Sequence, residues 1–189
     1  QHVVIENVIM VGGGISCNSC RHVFLEKFFI LLAQRGVFLN SCVRMEISNF
    51  EISIVKTHGI EVTKGMEQLS DVLSFSSGEI NECINGYGVY VHGYKDGFAQ
   101  WYFIQASGCK LGGFRLYDIS MHTFINCATE GGLLTNTSGS PHGFSLEDAN
   151  DNNFNHCKGY GFTGDGFLIS NSSGNNFTNC ETWYNGNKC

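Results

Sequence analysis

Apolar and polar positions alternate along this chain in short runs punctuated by glycine, and one four-residue frame returns seven times. Gly, apolar, any residue, apolar reads Gly14-Ile15-Ser16-Cys17, Gly36-Val37-Phe38-Leu39, Gly59-Ile60-Glu61-Val62, Gly88-Val89-Tyr90-Val91, Gly113-Phe114-Arg115-Leu116, Gly143-Phe144-Ser145-Leu146 and Gly166-Phe167-Leu168-Ile169. Successive glycines lie 22, 23, 29, 25, 30 and 23 residues apart. Alternation of period two puts the residues one and three past each glycine on one face of a strand and those two and four past it on the other. A unit of roughly two dozen residues returning at this period predicts a solenoid rung.

A second ladder rides on the first. Eleven residues past the glycine come Phe124, Phe154 and Phe177, and fourteen past it Cys127, Cys157 and Cys180. Ile80 and Cys83 repeat the same Phe-to-Cys spacing in the longer third coil. So short a strand cannot bury its face alone, and rungs stacked about 4.8 Å apart would share one core, with like side chain over like. The Asn-rich stretches Asn150 to Asn153 and Asn171 to Asn176 predict surface corners bridged by amide ladders, where replacing Asn152 should cost little. The fold expected is all-β: a right-handed, single-stranded parallel β-helix of about seven coils, one domain over residues 1–189. The first coil lacks its opening strand and the chain stops where another rung would begin. A fragment of a longer chain, uncapped at both ends, is therefore expected.

Composition narrows the partners. Charged residues are 15%, below the usual quarter or so, while the chain holds 24 glycines, 15 phenylalanines and one proline. That profile fits tightly turning β-structure and disfavours long helices. The net charge of −6 argues against a nucleic-acid backbone as partner, and no apolar run is long enough to span a membrane. Nine cysteines in a chain of this size, several in stacking positions, predict buried reduced thiols and folding in a reducing compartment. Cys17-x-x-Cys20 has no second pair beside it, so no metal site and no cofactor is expected. Asn136, Asn171 and Asn176 match the glycosylation sequon, a pattern frequent by chance in an Asn-rich chain.

Residues 166–180, Gly-Phe-Leu-Ile-Ser-Asn-Ser-Ser-Gly-Asn-Asn-Phe-Thr-Asn-Cys, resemble the repeat of pectate-lyase-like β-helix proteins, phage tailspikes among them. No calcium-lyase motif and no Gly-Gly-x-Gly-x-Asp pattern accompanies the resemblance. It implies a polysaccharide-degrading β-helix, hydrolase or lyase, in a homotrimeric phage tailspike assembled in the host cytoplasm and acting outside the cell. Its partner would be a bacterial surface polysaccharide. A non-catalytic structural or glycan-binding shaft is the alternative.

The outward positions carry the candidate chemistry. Two past the glycines stand Ser16, Phe38, Glu61, Tyr90, Arg115, Ser145 and Leu168, and four past them Asn18, Asn40, Thr63, His92, Tyr117, Glu147 and Ser170. Tyr90, His92, Arg115 and Tyr117 thus gather as candidate glycan-binding residues, offering ring faces and hydroxyl partners. Asp118, Asp148 and Glu147 are the candidate catalytic acids. Asp118 and Asp148 fall one rung apart, near the spacing a carboxylate pair needs across a glycosidic bond, where mutual repulsion would raise the pKa of one. The two longest repeats place insertions over Met66 to Gly78 and Thr129 to His142, expected as loops flanking this patch.

Overall fold

A computed structural model of the chain describes residues 2–63, 72–94, 98–132 and 140–186. They build a parallel β-solenoid of about seven turns without a helix. The seven-stranded sheet comprises β2 (Ile15–Asn18), β4 (Val37–Asn40), β6 (Ile60–Thr63), β8 (Tyr87–Tyr94), β10 (Gly112–Ile119), β13 (His142–Glu147) and β16 (Phe167–Ser170), stacked in sequence order. The eleven-stranded sheet begins with β1 (His2–Val11), β3 (His22–Leu31), β5 (Met45–Val55), β7 (Val72–Cys83) and β9 (Phe98–Ser107). It continues with the split pairs β11 (His122–Ile125) and β12 (Ala128–Glu130), β14 (Asn153–Asn155) and β15 (Lys158–Tyr160), and β17 (Asn176–Thr178) and β18 (Glu181–Trp183).

Register in the seven-stranded sheet follows the glycine frame throughout. Ile15, Val37, Ile60, Val89, Phe114, Phe144 and Phe167 form one column, with Cys17, Leu39, Val62, Val91, Leu116, Leu146 and Ile169 two residues on. The glycines are there because the chain closes on itself tightly. A Cβ on Gly36 would collide with the carbonyl oxygen of Gly59 and the Ile52 side chain, and one on Gly143 with the carbonyl of Gly166. The demand is for space, since neither residue has a positive φ.

The opposing column reads Ile5, Leu25, Ile47, Phe75, Trp101, Phe124, Phe154 and Phe177. Ring centroids of Phe124, Phe154 and Phe177 are 4.7 and 4.8 Å apart and nearly parallel. Phe144 meets Phe154 edge-on from the other sheet at 5.9 Å, so the two columns interlock across the core. Ile80 does not extend the phenylalanine column as its spacing suggested. It pairs with Ile52 and Ala106, and Phe75 takes the expected place. Cys83 accordingly falls over Val55, away from Cys127. The interval from Ile80 to Cys83 lies five residues past Phe75 on the long strand β7, so it matches the spacing from Phe124 to Cys127 without sharing its place in the rung.

The expected loops are shorter than the repeat lengths suggested. Val72–Cys83 is strand, which takes in Gly78; Ala128–Glu130 is strand, and His142 opens β13. Residues 66–71 of the first insertion and 133–139 of the second, with Asn136, lie outside the described residues. Corners recur at left-handed backbone positions. Asn7, Lys27, Asn49, Ser77, Phe103, Asn126, His156 and Asn179 succeed one another at one corner with φ between 52° and 55°. Asn and other short polar residues adopt this conformation most readily. The buried thiols donate to the rung before: Cys157 Sγ lies 3.5 Å from the Phe124 carbonyl oxygen and Cys42 Sγ 3.3 Å from that of Cys17. Cys127 and Cys157 are fully buried, whereas Cys180 at the outermost rung is half-buried. Cys189 lies outside the described residues.

Candidate functional site

The outward positions of the seven-stranded sheet align as the frame requires. Tyr90 pairs with Arg115 and Arg115 with Ser145; His92 pairs with Tyr117 and Tyr117 with Glu147. Side chains with no room in the core are thereby laid in rows at rung spacing. Their rings touch in series: Tyr90 and His92 have centroids 6.2 Å apart, and His92 and Tyr117 5.0 Å. Arg115 forms an ion pair with Glu147 and donates from Nη1 to Ser145 Oγ at 2.7 Å. Its guanidinium also lies 6.0 Å from the Tyr117 ring centre, within cation–π range. Glu147 is thus committed to a cation, which fixes the guanidinium plane and suits a positioning role better than proton transfer.

Asp118 and Asp148 stand at the downstream end of the same strands, both in the left-handed conformation, with φ of 57° and 50°. They follow the paired residues Tyr117 and Glu147, so one rung of about 4.8 Å separates their backbones. Ser41, Gly93 and Asn171 have positive φ too and occupy the same corner in other rungs. The corner geometry alone therefore accounts for a short polar residue at each place.

The upstream edge holds residues that the sequence reading passed over. The residue preceding each ladder glycine forms a column of its own, reading Gly13, Arg35, His58, Tyr87, Gly112, His142 and Asp165 in successive rungs. The signal was present one position before the glycine. The His58 ring lies 5.8 Å from that of Tyr87 and 5.0 Å from that of Tyr90. Its Nδ1 accepts the Tyr87 backbone N–H at 3.1 Å, so a neutral ring carries its proton on Nε2. Burial, with the Arg35 charge added, lowers its pKa to about 4. Arg35 Nε is 3.0 Å from Glu61 Oε2, close enough for an ion pair though not aligned as a hydrogen bond. Burial nevertheless wins and holds the Glu61 carboxyl above its ordinary value.

A cleft of about 540 Å³ opens on this edge, lined among others by Tyr87, Lys110, Arg115, His142, Ser145 and Leu168. Asp118 and Asp148 do not line it. Three residues of extended chain separate Arg115 from Asp118, about 10 Å at 3.3 Å per residue. The structure thus brings the predicted binding residues together and sets the predicted aspartates directly after Tyr117 and Glu147, at the end of the strands away from the cleft.

A larger depression, about 900 Å³, lies over a corner of the eleven-stranded sheet, with Phe29, Glu51, Glu79 and Phe103 in its walls. It is the wider hollow, but its rings are phenylalanines without a hydroxyl and its lining holds no arginine, and recognition chemistry outweighs volume. Among the described residues, no group of three His, Cys, Asp or Glu side chains is arranged to hold a metal ion, and no helix is long and apolar enough to cross a membrane. No family model, curated protein or solved structure matches the chain.

Proposed function

We propose that the protein recognises a polysaccharide on the outer face of its seven-stranded sheet. The observation that carries this reading is the series Tyr90, His92 and Tyr117, whose rings meet along one strand and then across to the next rung, beside the Arg115–Glu147 pair. Sugars present apolar ring faces and hydroxyls together, and a rigid aromatic row flanked by charged hydrogen-bonding groups meets both. The finer reading, which the sequence resemblance supports, is a homotrimeric phage tailspike acting on a bacterial surface glycan outside the cell. Affinity electrophoresis through gels containing purified capsular or O-antigen polysaccharide tests the binding. Tyr117→Ala should weaken retardation by about tenfold, equivalent to 1.4 kcal/mol. Migration of Tyr117→Ala and Arg115→Gln identical to wild type would sink the reading.

Cleavage is a second reading, favoured by the adjacency of Asp118 and Asp148 at one corner beside Tyr117. If these carboxyls perform acid–base or nucleophilic work, Asp148→Asn should lower reducing-end release by about 10²–10⁴-fold while binding survives. Full turnover in both Asp118→Asn and Asp148→Asn would show that neither carboxyl performs the cleavage, and no release by the wild type would leave binding alone.

A further inference from the structure

We propose that the upstream cleft is an anion subsite, taking a carboxylate or phosphate group carried by the bound glycan. The inference rests on the glycan reading only for the source of the anion. Cations are scarce in a chain of net charge −6, yet two of them, Lys110 and Arg115, face this one cleft, and no carboxylate is among its lining residues. The nearest outward carboxylate on this sheet, Glu147, pairs with Arg115 from outside the cleft lining.

Each lining group is held in a way that suits an oxyanion. Arg115 is fixed by Ser145 and Glu147, so its planar donor array is oriented before a ligand arrives. Lys110 Nζ is 3.4 Å from Asn85 Oδ1, a neutral partner that orients the ammonium without cancelling its charge. His142 Nδ1 accepts the Asp165 backbone N–H at 2.9 Å, which leaves Nε2 as the protonated nitrogen of the neutral ring. Burial lowers the His142 pKa, and the neighbouring Asp165 only partly offsets this. Gly164 makes the seat, because a Cβ there would press on the His142 ring. Tyr87, Leu111 and Leu168 complete the walls with apolar surface suited to the body of a sugar ring. Glu147 offsets part of the Arg115 charge, so Lys110 supplies most of the net positive charge, and the low-dielectric walls concentrate its field in the cleft.

The test follows the His142 imidazole signals by NMR while the whole chain is titrated separately with sodium glucuronate, inorganic phosphate and glucose. Saturable shifts with glucuronate or phosphate and none with glucose are expected. The stronger of the two anions tells a uronic-acid unit from a phosphate substituent. Lys110→Gln, at an exposed position that leaves the core untouched, should weaken anion binding by about tenfold or more, the scale of one lost charge-assisted hydrogen bond. Lys158→Gln on the other sheet should leave it unchanged. Shifts with glucose equal to those with glucuronate would overturn the proposal, as would silence with both anions or indifference to Lys110→Gln. None of these outcomes bears on Tyr117→Ala in polysaccharide gels, so the two readings fail separately.

Discussion

Down the inner column of the seven-stranded sheet, Ile15, Val37, Ile60 and Val89 give way to Phe114, Phe144 and Phe167, and opposite them Ile5, Leu25 and Ile47 give way to Phe75, Trp101 and a run of phenylalanines. Both halves keep the same register and glycine ladder, so the backbone does not distinguish them. The side chains do. Aliphatic columns gain area and dispersion alone, whereas rings about 4.8 Å apart in register gain a directional stack and an edge-on contact from the facing sheet. The aromatic half also carries Lys110, Arg115, Tyr117 and His142, so the candidate site stands on the more interlocked part of the core.

Deleting one ring is the most severe way to test this contrast. Phe154 stacks on Phe124 and Phe177 and meets Phe144 and Phe167 edge-on. Phe154→Ala should cost about 3–5 kcal/mol, against about 0.5–1.5 for Ile60→Val in the aliphatic half. Chemical denaturation measures both. Equal losses would mean that the rings act as bulk apolar volume only.

Acid should attack the aromatic half next. His122 is wholly buried beside Tyr94 and Phe124, and the Tyr94 backbone only partly offsets the burial of its ring nitrogens. Burial drives its pKa down to about 3 from an ordinary 6.5. The unfolded chain therefore binds the extra proton between those values. The stability this neutral ring contributes is complete above pH 6.5 and is lost as pH falls toward 3, on the order of 4 kcal/mol in all. Thermal melts from pH 7 to 4 should fall more steeply for wild type than for His122→Leu. Parallel slopes would show that the titration lies elsewhere.

A smaller effect exposes a misjudged corner. Asn152 reads in sequence as a surface turn, but it is fully buried. Its Oδ1 accepts the His122 backbone N–H at 2.9 Å and its Nδ2 donates to Asn175 Oδ1 at 2.9 Å. Asn152→Ala would orphan a buried N–H and should cost about 1–3 kcal/mol, less than the ring but well above a solvated turn.

The legible and illegible parts divide along physical lines. Inward columns were readable because burial forces a strict alternation, and the outward row of Tyr90, Arg115 and Ser145 came with them. The Asn152 ladder was hidden because polarity alone does not reveal whether an amide faces water or closes a buried corner. The upstream column of His58, Tyr87 and His142 was hidden because alternation breaks at the glycine, where the chain turns. Ile80 and Cys83 misled because a three-residue interval recurs at more than one place along a long strand, and only the register tells which.

The mildest comparison is between neighbouring thiols at the end of the aromatic half. Cys157 is fully buried, and the Cys127 thiol beside it, with burial added, pushes its pKa up to about 12. At pH 8 that leaves roughly one thiolate in ten thousand, and thiolate is the reactive form. The Cys180 thiol is also pushed up, chiefly by its contact with Cys157, but its side chain is only half-buried. The thiolate fraction is suppressed at both sites, so access should decide the order. Mass spectrometry of native protein under iodoacetamide should find Cys180 modified first, slowly, with Cys127 and Cys157 spared until denaturant is added. Simultaneous labelling of all three in the folded state would mean that the last rungs open together, and that the ring stack does not hold the end of the solenoid closed.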